Sequence, residues 1–274
     1  MCGIIGYIGA KPAQSILLSG LKRLEYRGYD SSGVALISPK KNVISIKKSP
    51  GKISALEKIL KVAPLFGNAG IAHTRWATHG VPNQANAHPH QDCAGEIAIV
   101  HNGIIENYEV LKNQLINEGH SFRSSTDTEV VAHLIEKFYK QVSLEEALQK
   151  VLKLLTGSFA LGVISSREPN KLVGARSGSP LIVGVGVNEN FLASDVSAVL
   201  GYTKDVIFLD ENELVILSKD SLKVTDFNNK TLFKKTSRIS WNVDQAEKCG
   251  FEHFMLKEIN EQPKILDNLF SSRI

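Results

Sequence analysis

Short apolar runs typical of strands alternate along the chain with amphipathic helical segments, and the strands dominate. Short runs of alternating or continuous apolar residues predict strands, which lie at Gly3–Gly9, Gly33–Ser38, Val43–Lys47, Gly70–His73, Glu96–His101, Gly157–Ser165, Lys171–Arg176, Leu181–Val187, Val206–Leu209, Glu213–Leu217 and Leu222–Thr225. Helices are predicted where apolar residues recur every three or four positions, at Ile16, Leu17, Leu21 and Leu24, at Leu56 and Leu60, at Tyr108, Leu111 and Leu115, and at Val130, Leu134, Ile135 and Phe138.

A capping box adds one more helix to this pattern. Ser143 and Glu146 have its spacing and predict a helix over Leu144–Leu155. The charge-rich segment Phe251–Leu269 is also predicted to be helical and to serve as a connector. Because strands and helices do not alternate strictly, the order of elements favours an α+β layered fold over a doubly wound parallel sheet.

Composition narrows the classes of function. The chain has 274 residues, 43% of them hydrophobic, which is enough for one large or two small domains with a substantial core. Its net charge is only +4, and its lysine pairs lack interleaved aromatic residues, so we expect no nucleic-acid partner. No signal sequence or membrane-length apolar run is visible, so we expect no membrane association and a cytoplasmic location.

The cysteine pattern directs attention to the N-terminus. Cys2, Cys93 and Cys249 have wide, unrelated spacings that form neither a disulfide framework nor a Cys-x-x-Cys pair. Removal of Met1 would leave Cys2 with a free α-amino group. An amine with a pKa near about 7.7–8.0 can take the thiol proton at neutral pH, so nucleophile and base would stand on one residue.

Polar clusters follow several predicted strands, and each also has a purely structural interpretation. Arg75, in the segment His73–Gly80, suits a bidentate grip on a carboxylate. Asn102 and Gly103 could supply two neutral donors to an oxyanion, although Asn-Gly is more often only a turn. The segment Ser124–Glu129 is most simply a helix N-cap, and its carboxylate could also meet a ligand ammonium group.

The histidines could indicate a metal site. His88 and His90, with Cys93 and His79 nearby in the sequence, could supply three or four ligands. The segment Val81–Ala94 is long, polar and proline-bearing, which is more typical of a loop than of a fixed ligand cage. We therefore expect neither a metal nor another cofactor.

Five motifs, by their residues and their order along the chain, resemble those of the class II glutamine amidotransferases. Within that family they are most similar to the glutaminase half of the glutamine:fructose-6-phosphate aminotransferases. These motifs are Arg23–Ser31, His73–Gly80, Asn86–His90, His101–Asn107 and Ala175–Leu181. The tail, Phe254–Ile259 followed by Glu261–Pro263, is similar to that family's linker into a sugar-isomerase half. Amidophosphoribosyltransferases share the N-terminal cysteine but differ in the residues of the first two motifs.

The resemblance implies the N-terminal nucleophile hydrolase fold, a four-layer αββα sandwich with two mainly antiparallel sheets. It implies a glutaminase domain over residues 2–240 and a linker over residues 241–274, toward a sugar-isomerase domain absent from this chain. Cys2 would attack the side-chain amide of L-glutamine. The ammonia would convert fructose 6-phosphate to glucosamine 6-phosphate in the missing domain, and the full-length enzyme would be a homodimer.

The resemblance also assigns roles to site residues. Asn102 and Gly103 would hold the oxyanion, Arg75 would bind the α-carboxylate of glutamine, and Asp127 would bind its α-ammonium group. The remaining implied residues are Arg27 and Gly28, which would orient the N-terminus, Thr78 and His79, which would line the substrate pocket, and Trp76, which would gate the ammonia route.

Two hypotheses of other classes remain open. The chain could be an amide-cleaving acylase with an N-terminal nucleophile, although an acylase has no need of a clamp such as Arg75 and Asp127 for an amino-acid head group. It could instead be a non-catalytic module that binds glutamine as a signal. Release of ammonia from glutamine separates these hypotheses from a glutaminase.

Overall fold

Two antiparallel sheets form the scaffold in a computed structural model, which describes residues 2–38, 41–240, 251 and 254–271. The chain divides into two compact units, residues 1–238 and 239–274. The strands are β1 Gly3–Gly9, β2 Ser31–Ile37, β3 Ile44–Pro50, β4 Ala69–Arg75, β5 His90–Gln91, β6 Ile97–Ile105, β7 Gly157–Ser165, β8 Leu172–Ser177, β9 Ile182–Val185, β10 Glu189–Ala193, β11 Asp205–Phe208, β12 Glu213–Leu217, β13 Leu222–Asp226, β14 Thr231–Leu232 and β15 Ser237–Arg238.

Helices cover both outer faces of the sheets in the first unit. They are α1 Ala13–Leu24, α2 Ile53–Val62, α3 Tyr108–Asn117, α4 Thr128–Phe138 and α5 Leu144–Leu152. The capping box of Ser143 and Glu146 forms as predicted. The second unit contains α6, Phe254–Ser271, with Pro263 inside it. The predicted linker begins in residues 241–250, which lie outside the described part, and its role stays a prediction.

Strand order places β1 in the middle of its sheet. The first sheet has the order β15-β11-β9-β10-β1-β4-β2-β3, and the second has the order β14-β13-β12-β8-β7-β6-β5. Strand β1 pairs with β4 on one side, where Gly3 lies opposite Thr74, and with β10 on the other. The start of β1 is therefore held from both sides, which fixes the position of the residue before it.

The main core lies between the two sheets. Ile4 and Ile71 of the first sheet belong to one buried cluster with Val100 and Leu172 of the second. Alternate residues face the helices instead, and Ile5 lies against Gly20 of α1. Strand β1 is buried on both faces, which explains its continuous apolar run.

A second buried cluster joins the second sheet to its helices. It contains Ile99 and Leu161 of that sheet and Val131 and Leu148 from α4 and α5. The layers are therefore helix, sheet, sheet and helix, which confirms the predicted αββα sandwich. In the part of the chain that the structure describes, no helix combines the length and apolar character needed to span a membrane.

The sequence pattern misses one central strand and shortens another. Strand β10 begins with Glu189 and Asn190, whose polarity hides it, yet both side chains are buried with partners. Strand β6 was expected to end at His101 but continues to Ile105. Asn102 and Gly103 therefore lie inside a strand, paired with β7, rather than in a turn after it.

Candidate active site

Cys2 lies at the end of the first sheet, directly before β1. The backbone N–H of Trp76 donates a hydrogen bond to Cys2 Sγ at 3.2 Å. Burial raises the pKa of the Cys2 thiol above its usual range, and the donated N–H acts against this shift because it favours the thiolate. The sulfur is half-buried and stands next to a donor that stabilises its anion.

Asn102 approaches Cys2 from the neighbouring sheet. Its Nδ2 donates to the carbonyl oxygen of Cys2 at 3.1 Å. Its Oδ1 lies 3.0 Å from Nε2 of His73, which also lies 2.9 Å from the carbonyl oxygen of His101. Both atoms are acceptors, so His73 Nε2 carries the proton and donates. The contact fixes the Asn102 amide with its NH₂ group toward Cys2.

His73 keeps this arrangement because it is neutral. Its ring is fully buried, and burial lowers its pKa to about 3. At neutral pH the ring therefore has a single N–H, and the contact with Asn102 Oδ1 places it on Nε2. Sequence reasoning gave His73 no role, although it opens the motif His73–Gly80 at the end of β4.

Gly103 follows in a conformation that requires glycine. Its φ is +125°, and a Cβ atom there would collide with the carbonyl oxygen of Ser158 on β7. Any other residue would push β6 and β7 apart at this point. The close approach of the two strands therefore depends on glycine next to Asn102.

A cavity of about 310 Å³ opens beside Cys2. Six of the predicted site residues line it, namely Cys2, Arg27, Trp76, Thr78, Asn102 and Gly103. Ile104, Ser179 and Pro180 complete the lining and were not among the predicted site residues. The signal for the last two was the motif Ala175–Leu181, in which Gly178 adopts a φ of +79° between β8 and β9.

Arg75 lies behind this lining and is almost fully buried. Its Nη2 donates to the backbone carbonyl oxygens of His79 and Gly80. Its Nη1 is buried and has no hydrogen-bond partner among the described residues. Burial lowers the pKa of Arg75, and the charges of Cys2 and Asp127 act against that shift. A buried guanidinium nitrogen without a protein partner retains an unused N–H donor for an anion.

Asp127 lies at the start of α4 and is also buried. Its Oδ2 accepts a hydrogen bond from the backbone N–H of Ile105 at 2.9 Å and lies 3.9 Å from Nδ1 of His101. His79 is half-exposed, and its ring meets the edge of Tyr108 at 5.2 Å. Neither Asp127 nor His79 lines the cavity as the structure shows it.

The segment Arg27–Asp30 holds the wall that carries Arg75 and Trp76. Asp30 donates its backbone N–H to the carbonyl oxygen of Arg75 at 3.0 Å and accepts from the N–H of Ala77 at 2.7 Å. A Cβ atom on Gly28 would lie 2.8 Å from the Arg75 carbonyl carbon, so this close approach depends on glycine. Arg27 pairs with Asp195 at 3.3 Å.

Comparisons with known proteins agree with this architecture. Residues 73–201 match the family model described as a glutamine amidotransferase domain. The glutamine–fructose-6-phosphate aminotransferase [isomerizing] of Clostridium tetani is 50% identical over 274 residues, which are 100% of this chain and 45% of the relative. Its counterpart from Methanothermobacter thermautotrophicus is 55% identical over 265 residues, which are 96% of this chain and 44% of the relative.

A solved structure shows the same fold. The glutamine phosphoribosylpyrophosphate amidotransferase of B. subtilis, complexed with ADP and GMP, aligns with a TM-score of 0.71 at 27% identity over 82% of this chain and 49% of that one. The chain spans a little under half the length of the curated relatives, 45% for the Clostridium tetani protein. By its sequence match, its fold and the geometry of its site, the chain belongs to the class II glutamine amidotransferases.

Proposed function

We propose that this chain hydrolyses the side-chain amide of glutamine to glutamate and ammonia through a thioester on Cys2. The observation that carries the proposal is the meeting of the Cys2 thiol, the Asn102 amide and Gly103 in one cavity. A nucleophile beside neutral donors is the arrangement that acyl transfer from an amide requires.

The reaction begins once Met1 is removed and Cys2 has a free amine. The amine takes the thiol proton, and Sγ forms a bond to the amide carbon of glutamine. One N–H of the Asn102 amide is used on the Cys2 carbonyl oxygen, which leaves the second N–H for the substrate oxyanion. Collapse of the intermediate breaks the C–N bond, and the departing nitrogen takes the proton back and leaves as ammonia. Water then cleaves the thioester.

The head group of glutamine needs one fixed cation and one fixed anion. Arg75 Nη1 is buried without a partner in the described part of the chain and suits the α-carboxylate. Asp127 is the corresponding anion for the α-ammonium group, and its field acts on Arg75. Thr78 lines the cavity, and His79 supports Arg75 through its backbone carbonyl. This pair supports a glutaminase over an acylase.

The names of the curated relatives suggest where the ammonia goes. They act, by name, on fructose 6-phosphate, and they match this chain at 50–55% identity, well above the 27% of the amidophosphoribosyltransferase structure. Our proposal therefore includes delivery of ammonia to a sugar-phosphate domain of a longer protein, which makes glucosamine 6-phosphate, with Trp76 gating the route. It also includes a homodimer of that protein and a cytoplasmic location.

The test compares two forms of the N-terminus. A chain whose intact mass shows that Met1 is absent is assayed with glutamine beside the same chain carrying an uncleaved N-terminal extension. We expect equal amounts of glutamate and ammonia from the first form and almost none from the second, because an extension converts the amine to an amide. Full activity in the extended form would disprove the self-base mechanism. Glutamine binding without ammonia release by the first form would favour a non-catalytic module.

A further inference from the structure

A second set of chemically active side chains lies among the helices of the outer layer. Cys93 follows β5, His120 follows α3, and His133 and Glu136 lie on α4. The two helical residues are three positions apart, so they share one face of α4. One ligand atom from each of the four residues falls within 4.8 Å of every other. We call these four residues the Cys93 cluster.

Four of the six ligand-atom distances within the Cys93 cluster are close to the edges of a tetrahedron around a metal ion, and the two between nitrogen and oxygen are somewhat shorter. Cys93 Sγ lies 3.5 Å from Nδ1 of His133 and 3.7 Å from Nδ1 of His120. Glu136 Oε2 lies 3.0 Å from Nδ1 of His120 and 3.2 Å from Nδ1 of His133. A tetrahedral zinc ion, with bonds of about 2.3 Å to sulfur and about 2.0–2.2 Å to nitrogen or oxygen, separates sulfur from nitrogen by about 3.6 Å and nitrogen from oxygen by about 3.4 Å.

Neighbouring groups favour this use of the two imidazoles. Glu129 Oε1 lies 3.6 Å from Nε2 of His133, on the side away from the cluster. This distance is too long for a hydrogen bond, but the negative charge favours the proton on Nε2, which leaves the lone pair of Nδ1 for a metal. Glu129 is itself held by the backbone N–H groups of Arg123 at 2.8 Å and Ser124 at 2.7 Å.

The cluster is enclosed but can be reached from solvent. The side chain of His133 is 1% exposed, whereas those of His120 and Glu136 are 14% and 25% exposed. A metal ion can therefore enter from the outside of the helical layer. With four protein ligands the coordination would be complete, which is typical of a structural site rather than a catalytic one.

We propose that Cys93, His120, His133 and Glu136 bind a structural zinc ion. The ion would tie the loop before β6, the loop after α3 and helix α4 to one point. Strand β6 carries Asn102 and Gly103, and α4 begins directly after Asp127. The metal would therefore stabilise the elements that position the active site without contacting substrate. The proposal is independent of the glutaminase proposal, because none of its tests measures activity.

Metal content is the first test, with Cys2→Ala as the matched control because Cys2 is the other cysteine of the described chain. The purified chain is incubated with zinc sulfate, passed over a desalting column and analysed by elemental mass spectrometry. We expect about one zinc ion per chain for the wild type and for Cys2→Ala, and loss of at least about 90% of it for Cys93→Ser and Glu136→Gln. Circular dichroism shows that each variant is folded.

Cobalt reports the ligands directly. Chelator-treated wild type given Co²⁺ should show the intense visible bands of a tetrahedral ion and a thiolate charge-transfer band, and both should persist in Cys2→Ala and disappear in Cys93→Ser. A folded wild type that retains no zinc overturns the proposal, and so does a cobalt spectrum without the thiolate band. Metal that persists in Cys93→Ser and disappears in Cys2→Ala belongs to the N-terminal cysteine and also overturns it.

Discussion

Cys2 and Cys93 are surrounded by different chemistry. Cys2 Sγ accepts a hydrogen bond from a backbone N–H at a cavity, and its proposed base is its own amine once Met1 is removed. Cys93 Sγ meets two imidazoles and is close to a carboxylate. Burial raises the pKa of both thiols, so the pKa shift does not separate them. The polar atoms around each sulfur do.

The contrast matters because a cysteine beside a histidine is a common signature of a nucleophile. In the Cys93 cluster both imidazoles also face the oxygen of Glu136, so their nitrogen atoms converge on one centre instead of on the thiol alone. Near Cys2, His73 instead contacts Asn102, the proposed oxyanion donor, whose amide donates to the Cys2 carbonyl oxygen. The proposed nucleophile is therefore the cysteine that has no histidine beside its sulfur among the described contacts.

The largest expected effect tests whether Cys2 and Cys93 have different roles. Cys2→Ala should lower kcat for glutamine hydrolysis by at least about 10⁴-fold, because Thr78 and Ser179, the hydroxyl side chains of the cavity lining, are much weaker nucleophiles than a thiolate. Cys93→Ser should keep kcat within about fivefold at 25 °C, because its side chain contacts no substrate. Steady-state assays of ammonia release with zinc present compare the two variants. Equal losses would mean that the two sites are not functionally separate.

Asn102→Ala should give the next largest effect. Its N–H is needed mainly when charge develops on the substrate oxygen, so kcat should fall by roughly 10²–10³-fold with little change in glutamine binding. Steady-state kinetics of Asn102→Ala give the loss in kcat. A direct measurement of glutamine binding, made on Cys2→Ala with and without Asn102→Ala, gives the change in affinity. A loss confined to KM would show that Asn102 contacts the substrate before reaction rather than the oxyanion.

A strand can be predicted from the sequence when the residues that stabilise it are close to it in the chain. Strand β1 was predicted to the residue, because a continuous apolar run between glycines needs only local information. Strand β10 was missed, because the burial of Glu189 depends on Tyr7, whose hydroxyl donates to it from far along the chain at 3.0 Å. Polar residues that are satisfied by distant partners resemble loop residues until the fold is known.

The same reasoning applies to the two cysteine regions. Cys2, Arg75 and Asn102 could be proposed as site residues from the sequence because each lies in a motif of neighbouring residues. The ligands of the Cys93 cluster are 27 to 43 residues from Cys93, on separate elements, and only the spacing of His133 and Glu136 is local. The sequence therefore suggested His79, His88 and His90 as companions of Cys93, whereas its thiol contacts His120 and His133.

Arg75→Lys should show a smaller change in a different constant. Lysine keeps the charge but loses the forked geometry, so KM for glutamine should rise by roughly tenfold while kcat falls less. Measuring kcat and KM separately for Arg75→Lys and Asn102→Ala sharpens the assignment within the Cys2 site. If the KM effect followed Asn102 and the kcat effect followed Arg75, the head and tail of the substrate would have to be exchanged.

The dependence of stability on pH also distinguishes the two regions. Burial lowers the pKa of His73 to about 3 and lowers those of His88, His90 and His101 below the usual 6.5. In the unfolded chain these imidazoles bind protons below pH 6.5, whereas in the folded chain they stay neutral. The unfolded state therefore binds more protons, and the free energy of unfolding must fall as pH decreases.

Urea unfolding between pH 6 and pH 5 measures this slope where the histidines titrate in the unfolded chain and most carboxylates are ionised. With chelator present, the slope should exceed about 1.4 kcal/mol per pH unit, the value for one proton, because several of these histidines contribute. With saturating zinc it should become steeper, because protons compete with the metal for His120, His133 and Cys93. A slope that zinc leaves unchanged would remove the Cys93 cluster from the explanation, and a flat slope in chelator would show that the histidines near the Cys2 site are not held neutral by burial.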